Sequence, residues 1–426
     1  MSSEWTECSL GDVLTLQRGM DLPKGDRTVA GKYPVVASNG IVGYHDQFQA
    51  KGPGVVIGRS GSIGGGQYIK GDYWPLNTTL WVRDFKGNIP RYCYYLLKSI
   101  DFSKFNVGTG VPTLNRNHIH PMAVLRPSKT IQEKIVHLLG GIDDFIASLQ
   151  KENVALESIA QTLFRSWFVN FDPVHAKTAG NDPEAMSAEL TSLFPSEFEN
   201  SDLGLIPKGW MSTSLGDVTN FIKGRSYKSD ELQPSSVALV TLKSFQRGGG
   251  FRLDGFKPYV GRFHENQVVN PGECIVALTD VTQNAEVIGR PAMVYPSEFK
   301  TIASLDVGIL RPKTKTVTKE FLYCLLREQR YIAHILGFTT GTTVLHLAKD
   351  GVPSYKFALP SADLMERFGE VAGPLFKTIE VNILLANRLA CLRDHLLPRL
   401  ISGKLRIEDA EASVVEITSG MDTEPV

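Results

Sequence analysis

The chain has 426 residues, of which 42% are hydrophobic, so it is long enough for two or three folded domains. Its 45 Lys and Arg side chains balance 45 Asp and Glu side chains, which argues against a uniformly basic surface. No run of eighteen apolar residues occurs and the first residues lack an apolar signal segment, so we expect neither a membrane span nor secretion. The five scattered cysteines favour a reducing cytoplasm over a disulfide framework or a zinc cage.

The net charge is unevenly distributed along the chain. Residues 1–128 carry 14 basic and 9 acidic side chains and residues 208–360 carry 19 and 13, giving net charges of +5 and +6. Residues 170–207 and 405–426 have net charges of −6 and −5. The two basic blocks are compatible with binding a polyanion, although each could equally be an ordinary surface with a small excess of positive charge. The acidic, aperiodic tail is expected to be mostly disordered.

A sequence repeat divides the chain. The pattern Trp-x3-Ser-Leu-Gly-Asp-Val-x5-Gly starts at Trp5 and again at Trp210, an offset of 205 residues. Each copy continues with a Pro-Gly pair before an apolar run typical of a buried strand, and with a glycine- and threonine-rich segment at 108–110 or 340–342. The offset has grown to 233 by the end of the copies, so the second copy carries insertions. The repeat predicts two similar globular modules.

Each module is followed by a helical pattern in which apolar residues recur every three or four positions. This spacing is typical of a coiled-coil seam. Two seam positions hold asparagine, which either fixes the register of the helices or faces water at a frayed contact. The predicted seam residues are Ile142, Ile146, Leu149, Asn153, Leu156 and Leu163 in the first helix, and Leu375, Ile379, Asn382, Leu389 and Leu396 in the second.

Both helical patterns contain helix-weakening residues at matching places, Gly140-Gly141 and Gly373-Pro374. We therefore expect a short first segment, a kink and then a long helix at about 142–168 and 375–402, each roughly 40 Å long. An antiparallel pair of such helices would hold the modules about one turn of DNA apart, roughly 34–36 Å. The alternative is a generic tandem duplication whose helices only dimerise.

The predicted fold class is α+β, with two similar globular domains joined by two long helices. If these helices pair as an antiparallel coiled coil, the domains are related by pseudo-twofold symmetry. The predicted segments are a first domain at 1–128, a first helix at 129–169, an acidic linker at 170–207, a second domain at 208–360, a second helix at 361–404 and the acidic tail at 405–426.

Motifs for catalysis are weak in this sequence. The Gly-x4-Gly-Lys-Ser/Thr pattern of phosphate-binding loops does not occur. The glycine loop at 58–64 follows a predicted strand, but no helix opens after it, which disfavours a dinucleotide site and favours a loop whose backbone approaches a partner closely. His118 and His120 could be metal ligands, but no acidic or cysteine partner is near, so a structural role is favoured.

Several sequence motifs, taken together and in their order along the chain, resemble those of a known protein family. Besides the duplicated Trp-x3-Ser-Leu-Gly-Asp-Val opening, the chain has Pro-Ser-x2-Ile-Gln-Glu-x-Ile at 127–135, Phe-Arg-Ser-Trp-Phe-Val-Asn-Phe-Asp-Pro-Val at 164–174 and Leu-Gly-Leu-Ile-Pro-Lys-Gly-Trp at 203–210. The chain resembles the specificity (S) subunit of type I restriction–modification systems over nearly its whole length, excluding the tail. The second helix departs from the pattern with Met365 where the first has Gln132.

The resemblance implies a function. Two target-recognition domains would each read one half of a split double-stranded DNA target, and the helices would set the gap and bind two modification (M) subunits. Those subunits would use S-adenosylmethionine to methylate adenine, and restriction (R) subunits would add cleavage driven by ATP and Mg²⁺. The S chain itself would be non-catalytic and cytoplasmic. A partnerless DNA-binding scaffold, or an enzyme that uses the glycine loop at 58–64, are the alternatives.

Base recognition requires polar or basic side chains on loops that reach the edges of the bases, whereas phosphate contacts only position a protein. For any one such residue, surface exposure or turn formation is an equally good explanation. The candidates in the first module lie on the glycine loop and after Gly108, and those in the second lie before Gly248 or at the corresponding two loops. They are Arg59, Ser60, Ser62, Thr109, Asn115 and Arg116, and then Lys243, Ser244, Gln246, Arg247, Thr279, Asp280, Thr282, Thr340, Thr342 and His346.

Overall fold

A computed structural model of the chain describes residues 4–108, 110–282 and 284–419. The chain divides into two compact units. Unit 1 consists of Met1–Ser148 and Ala386–Val426, and unit 2 of Leu149–Leu385. Both units mix helices with strands, which confirms the predicted α+β class.

The helices range from single turns to two long rods. In chain order they are α1 (Leu10–Val13), α2 (Pro90–Lys98), α3 (Arg116–Ile119), α4 (Lys129–Phe168), α5 (Asp172–Thr178), α6 (Ala188–Ser192), α7 (Leu215–Val218), α8 (Lys319–Leu326), α9 (Gln329–Gly337), α10 (Ala362–Ile401) and α11 (Ile407–Ser419). The long helices α4 and α10 have 40 residues each, and each of them contributes to both units. Within the described ranges, none of the helices is long and apolar enough to cross a membrane.

Unit 1 contains a four-stranded sheet, a three-stranded sheet and a separate strand pair. Its strands are β1 (Trp5–Ser9), β2 (Thr15–Arg18), β3 (Tyr33–Ala37), β4 (Gly40–His45), β5 (Gly54–Gly58), β6 (Gly64–Ile69), β7 (Trp74–Pro75), β8 (Thr79–Asp84) and β9 (Ala123–Pro127). The strand orders are β2-β8-β5-β6, β4-β3-β7 and β1-β9. All pairings are antiparallel except that of β3 with β7.

Unit 2 repeats these sheets and adds two more. Its strands are β10 (Phe198–Ser201), β11 (Gly204–Pro207), β12 (Met211–Ser214), β13 (Thr219–Lys223), β14 (Val237–Val240), β15 (Lys257–Pro258), β16 (Cys274–Ala277), β17 (Thr279–Asp280), β18 (Pro291–Met293), β19 (Lys300–Ala303), β20 (Val307–Pro312), β21 (Thr339–Thr340), β22 (Leu345–Leu347) and β23 (Lys356–Leu359). Orders β13-β20-β16-β18, β15-β14-β19 and β12-β23 match the three sheets of unit 1, and the β14–β19 pair is again parallel.

The repeated sequence motif fastens the start of each module to its end. Ser9 and Asp12 form a capping box on α1, and Ser214 and Asp217 form the same box on α7. The next backbone N–H groups reach across the module, since Gly11 N donates to the His120 carbonyl at 2.9 Å and Gly216 N to the Pro353 carbonyl at 2.8 Å. The motif is therefore structural, and it explains why both copies keep it.

In unit 1, α4 and α10 run antiparallel. Arg393 Nη1 lies 2.7 Å from Asp143 Oδ1, and Tyr95 OH donates to the other oxygen of the same carboxylate at 2.6 Å. Lys134, earlier on α4, lies 3.7 Å from Glu408, beyond the end of α10. Both groups of the Asp143–Arg393 pair are largely buried, so the pair holds the helices at one register.

In unit 2, the same two helices again run antiparallel. Asn382 Nδ2 donates to Asn153 Oδ1 at 2.9 Å. Further along, the rings of Phe164 and Phe368 have centroids 5.8 Å apart. Since the two asparagines are bonded to each other and Asn382 is only 7% exposed, they do not face water at a frayed contact. The geometry favours the register role.

The predicted seam residues divide by exposure. Those that are buried are Ile142, Leu149, Ile379, Asn382, Leu389 and Leu396, and those that are half-buried are Ile146, Asn153, Leu156, Leu163 and Leu375. In unit 2 the packing depends as much on aromatic rings, because Phe164, Phe368 and Phe376 are buried in the same core as Phe321 of α8.

The predicted separate helix segments are wrong, because α4 and α10 are each a single helix. Gly140 lies under the guanidinium group of Arg91, whose Nη2 donates to the Gly140 carbonyl at 3.0 Å. A Cβ at Gly140 would lie 3.0 Å from Arg91 Cζ, so the glycine permits a close approach instead of ending the helix. Packing on this side outweighs the low helix propensity of glycine.

The expectation of a disordered tail is also wrong for the part that the structure describes. Residues 407–419 form α11, in which Ile407 and Ala410 are buried against the end of α10. At the offset of 233 residues, Ile407 corresponds to Val174, which is buried in α5. The duplication therefore continues past the long helices, and two apolar residues order this segment despite its charge. Residues 420–426 lie outside the described residues.

The asparagine pair gives a test of register. Asn153→Leu should lower the free energy of unfolding by about 2 kcal/mol, because the buried Asn382 amide then loses its acceptor. The double variant Asn153→Leu/Asn382→Leu removes both polar groups and should recover most of that loss. Urea unfolding curves of the three proteins measure the difference. Equal stability of the single variant and the parent would mean that water solvates the asparagines.

Candidate nucleic-acid interface

Each unit contains a hairpin whose residues pair at positions equivalent to those of its counterpart in the other unit. In unit 1, Asn106 pairs with Leu114, and Val107 N donates to the Thr113 carbonyl at 2.9 Å. In unit 2, Thr339 pairs with Leu347 and Thr340 with His346. These positions are related by the constant offset of 233 residues. We call the segments 106–114 and 339–347 the recognition hairpins.

The turns of the two recognition hairpins need the same glycine. A Cβ on Gly108 would overlap the carbonyl oxygen of Val111, and one on Gly341 would overlap that of Val344. Gly341 also has a φ of +119°, which other residues rarely adopt. An alignment of Gly-Thr-Gly at 108–110 with Thr-Gly-Thr at 340–342 is thus off by one residue, because Gly108 corresponds to Gly341 in the structure.

A second loop lies against each hairpin. Leu114 N donates to the Arg59 carbonyl at 2.8 Å, and Leu347 N donates to the Leu278 carbonyl at 2.9 Å. Ser60 pairs with Thr113, and Thr279 pairs with His346. The glycine loop of unit 1 and the segment after β16 in unit 2 therefore occupy the same place, and both bring their side chains next to the hairpin.

The backbone of the glycine loop is already hydrogen-bonded within unit 1. Arg59 N and Ser60 N donate to the Thr78 carbonyl at 2.8 and 3.1 Å, and Gly61 N donates to the Pro112 carbonyl at 3.0 Å. Since a phosphate cradle needs such N–H groups free, these three could not bind a phosphate in this arrangement. This geometry argues against an enzyme site on the glycine loop.

The candidates in unit 1 converge on this loop and hairpin. Arg59 is half-buried, and its Nη1 donates to the Asn77 carbonyl at 3.2 Å. Ser60 is half-buried and Ser62 is exposed. Asn115 and Arg116 are exposed at the start of α3, where the Asn115 side chain accepts from Asn117 N. Thr109 lies outside the described residues.

Two further segments reach the same place and were missed by sequence reasoning. Residues 77–78 are hydrogen-bonded to the glycine loop. The turn at Ser38-Asn39 lies next to them, because Ser38 N donates to Thr78 Oγ1 at 3.4 Å. Asn39 is exposed at this turn. The Asn39-Gly40 dipeptide is a hairpin signal that could have directed attention to it.

The candidates in unit 2 lie on three segments that meet. Gly248 N donates to the Glu286 carbonyl at 2.8 Å, which joins the triple-glycine segment to the loop after β16. Lys243, Gln246 and Arg247 are exposed on the first of these segments. Thr340, Thr342 and His346 are exposed on the recognition hairpin.

A groove of about 610 Å³ lies between the first two segments of unit 2. Its lining includes the cations of Lys243, Arg247 and Arg252. Arg247 Nε lies 3.3 Å from Glu286 and Arg252 forms a pair with Asp254 at 2.7 Å. Because these ion pairs are exposed, they are weak and the arginines can exchange their partners for phosphate or base edges.

Three candidates in unit 2 are corrected by their burial. Ser244, Thr279 and Asp280 are at most 8% exposed. Ser244 Oγ accepts from Thr241 N, and Thr279 Oγ1 donates to Asp306 at 2.9 Å. Their polar side chains organise the loops from inside and are not available at the surface for a contact with DNA.

Asp280 holds the loop after β16 in place. Its Oδ1 accepts from the backbone N–H and the hydroxyl of Thr282, and its Oδ2 accepts from the N–H groups of Val287 and Ile288. Burial alone would raise the pKa of the Asp280 carboxyl, but these hydrogen bonds outweigh burial and lower the pKa. Thr282 is half-buried because it is one of these donors.

His120 has a structural role, as expected. Its Nε2 accepts from the backbone N–H of Leu16 at 3.0 Å. Burial and the nearby Arg116 lower the pKa of the His120 imidazole, which keeps this acceptor neutral. Among the residues that the structure describes, no cluster of three or more histidine, cysteine or acidic side chains could hold a metal ion.

Comparison with known proteins finds similar chains of one kind. A family model for the type I restriction modification DNA specificity domain matches residues 2–158. Over most of its length the chain is similar to type I restriction enzyme specificity subunits. The MjaIX specificity subunit of Methanocaldococcus jannaschii is 25% identical over 79% of this chain and 74% of its own length. The HindI specificity subunit of Haemophilus influenzae is 23% identical over 78% of this chain and 82% of its own.

The fold of this specificity-subunit relative also matches a solved structure. The crystal structure of a type I restriction-modification S subunit from M. genitalium superimposes with a TM-score of 0.51. The match covers 94% of this chain and 97% of that one at 18% identity. The similarity shows that the two chains share a fold.

The Asp280 loop gives a stability prediction for this specificity-subunit relative. Asp280→Asn should lower the free energy of unfolding of unit 2 by about 2 kcal/mol at pH 7, because an amide NH₂ would face backbone donors. Since the pKa of Asp280 is lowered on folding, its contribution is complete above its ordinary pKa and is lost as the pH falls through the folded value.

The two proteins should therefore approach each other in stability below about pH 4. Urea unfolding at pH 7 and at pH 3 measures this difference. Asp350→Asn, which removes an exposed carboxylate from the same unit, is the matched control and should change little. An Asp280→Asn protein as stable as the parent at pH 7 would contradict the assignment.

Proposed function

We propose that this chain is the non-catalytic DNA-specificity subunit of a type I restriction–modification complex, and that each unit reads one half of a split target. The observation that carries the proposal is the pair of recognition hairpins, which share one backbone frame at a constant offset. An interface that is built twice in one chain suits a target with two parts.

The side chains on the shared frame differ between the units. Arg59 corresponds to Leu278, and Thr113 corresponds to His346. Because hydrogen-bonding side chains on the groove edges determine which bases are accepted, the two halves of the target should differ in sequence. The basic side chains around the hairpins would add phosphate contacts, which position each unit without selecting a sequence.

The long helices would serve as the docking surface for modification subunits. Several large apolar side chains on them are 40% or more exposed, although α4 and α10 otherwise bury such residues against each other. Exposed apolar groups on a rigid helix pair favour association with a protein partner. They are Phe145, Val154 and Ile159 on α4, and Val371 and Val381 on α10.

The chemistry of the complex would lie outside this chain. Two modification subunits would bind S-adenosylmethionine and methylate adenine in each half of the target. Restriction subunits would use ATP and Mg²⁺. This chain would contribute the sequence recognition and the spacing between the halves, and would hold no cofactor of its own.

Mapping of adenine methylation across the host genome tests the proposal. Deletion of the gene for this chain should abolish methylation at one motif that consists of two short halves and a fixed gap. Arg59→Ala should relax the sequence accepted in one half only, and Arg247→Ala in the other half only, because each side chain lies at the interface of one unit.

Matched controls lie at the far ends of the same sheets. Lys51 is exposed before β5, whereas Arg59 follows it, and Lys315 is exposed beyond β20. Lys51→Ala and Lys315→Ala should leave the motif unchanged. A methylation pattern that survives deletion of this chain would contradict the proposal and point to a scaffold without a modification partner.

A further inference from the structure

Each recognition hairpin carries an exposed valine at the same position of its turn. Val111 in unit 1 is 59% exposed, and Val344 in unit 2, 233 residues later, is 37% exposed. The carbonyl group of each valine packs over the glycine three residues before it. The backbone of both valines is therefore fixed in the same way, and their side chains project from equivalent places.

A single exposed valine needs no explanation, because apolar atoms form much of any protein surface. The recurrence of this one does need an explanation, since several neighbouring positions of the hairpins have diverged, although the threonine at 109 also recurs as Thr342. Thr113 has become His346, and Val107 has become Thr340. Packing within the unit does not account for the retained valine, because more than a third of the residue's surface remains accessible to water in both copies.

The position of the valine within the proposed interface suggests its ligand. A two-stranded ribbon of this kind fits the major groove of DNA, where the base edges present hydrogen-bonding groups and only one apolar group. That apolar group is the 5-methyl group of thymine. An aliphatic side chain at the tip of a ribbon is complementary to this methyl group and to no other feature of the groove edge.

We propose that Val111 and Val344 each contact the 5-methyl group of one thymine, so that each half of the target contains at least one A·T pair read in this way. This inference rests on the proposed function, since it assigns part of the specificity of the same interface. It adds a thymine-selective contact in each half to the hydrogen bonds made by the polar side chains.

Uracil substitution tests the contact directly, because uracil lacks the 5-methyl group but pairs as thymine does. The probe is a duplex that contains the motif found by methylation mapping, with each thymine replaced by uracil in turn. The protein is this chain purified with its modification subunit. One replacement in each half should weaken binding about fourfold, the factor expected for burial of one methyl group.

The valine variants assign each effect to its unit. Val111→Ala should bind the thymine duplex about fourfold more weakly and should no longer respond to uracil in one half, while it keeps its response in the other. Val344→Ala should show the reverse. Val29→Ala and Val260→Ala are the controls, because these valines are 94% and 53% exposed beside the ends of β3 and β14 remote from the interface, and both should keep the full response to uracil.

Two results would overturn the inference. One is a valine variant that keeps the uracil response of the parent. The other is a valine variant that weakens binding to thymine and uracil duplexes equally, which would indicate a sugar or phosphate contact. Failure of the parent complex to prefer its motif over unrelated DNA is a different result, because it would contradict the proposed function itself.

Discussion

The antiparallel pairing of α4 with α10 is the interaction on which the rest of the structure depends, because neither unit has a complete core without segments of both helices. In unit 1, Leu396 and Leu400 of α10 share a core with Leu10 and Leu139. In unit 2, the core around Phe321 includes rings from both helices. Burial of each such side chain contributes about 2 kcal/mol, so the fold of the first module requires residues from the last tenth of the chain.

This dependence links stability to geometry. The Asp143–Arg393 pair in unit 1 and the Asn153–Asn382 pair in unit 2 can each form at only one register of the two helices. Polar pairs of this kind add less to stability than leucine would, but a shifted register would leave them buried without partners. A subunit that measures the distance between two DNA half-sites would need such a fixed register, and the helix pair provides it within each unit.

In the recognition hairpins, the backbone framework is shared by the two units, whereas the side chains that would determine specificity differ. Backbone hydrogen bonds and a turn glycine define the framework, and these are the same in both units. The side chains that project from it differ, as the replacement of Arg59 by Leu278 illustrates. Different half-sites could therefore be read without a change in the backbone that presents the side chains.

Much of this architecture could be predicted from the sequence, because duplication and heptad spacing leave direct signals. The duplicated module and the two long helices follow from them, whereas the antiparallel pairing was implied by the family resemblance. The role of Gly140 was predicted wrongly, because the side chain of Arg91, which is remote in sequence, packs against this position and leaves little room for a larger residue. The helix α11 was missed because its composition is acidic, whereas two buried residues order it.

The site was predicted less well than the fold. The predicted loops of the two units do correspond in the structure, but the exposure of single residues could not be predicted. Asp280 and Ser244 are polar residues of the kind that contacts DNA, yet both satisfy backbone donors inside their loops. Residue type does not distinguish these roles, because Asp and Ser form internal turns as readily as they form contacts with bases.

The most direct test of this account is the length of the helix pair. One turn of four residues would be added to both α4 and α10 at the boundary between the units, which lengthens each helix by about 6 Å. Methylation mapping should then show both half-sites unchanged and the gap between them longer by one or two base pairs, since the rise is about 3.4 Å per pair. An unchanged gap would contradict the claim that the paired helices set the spacing of the two reading units.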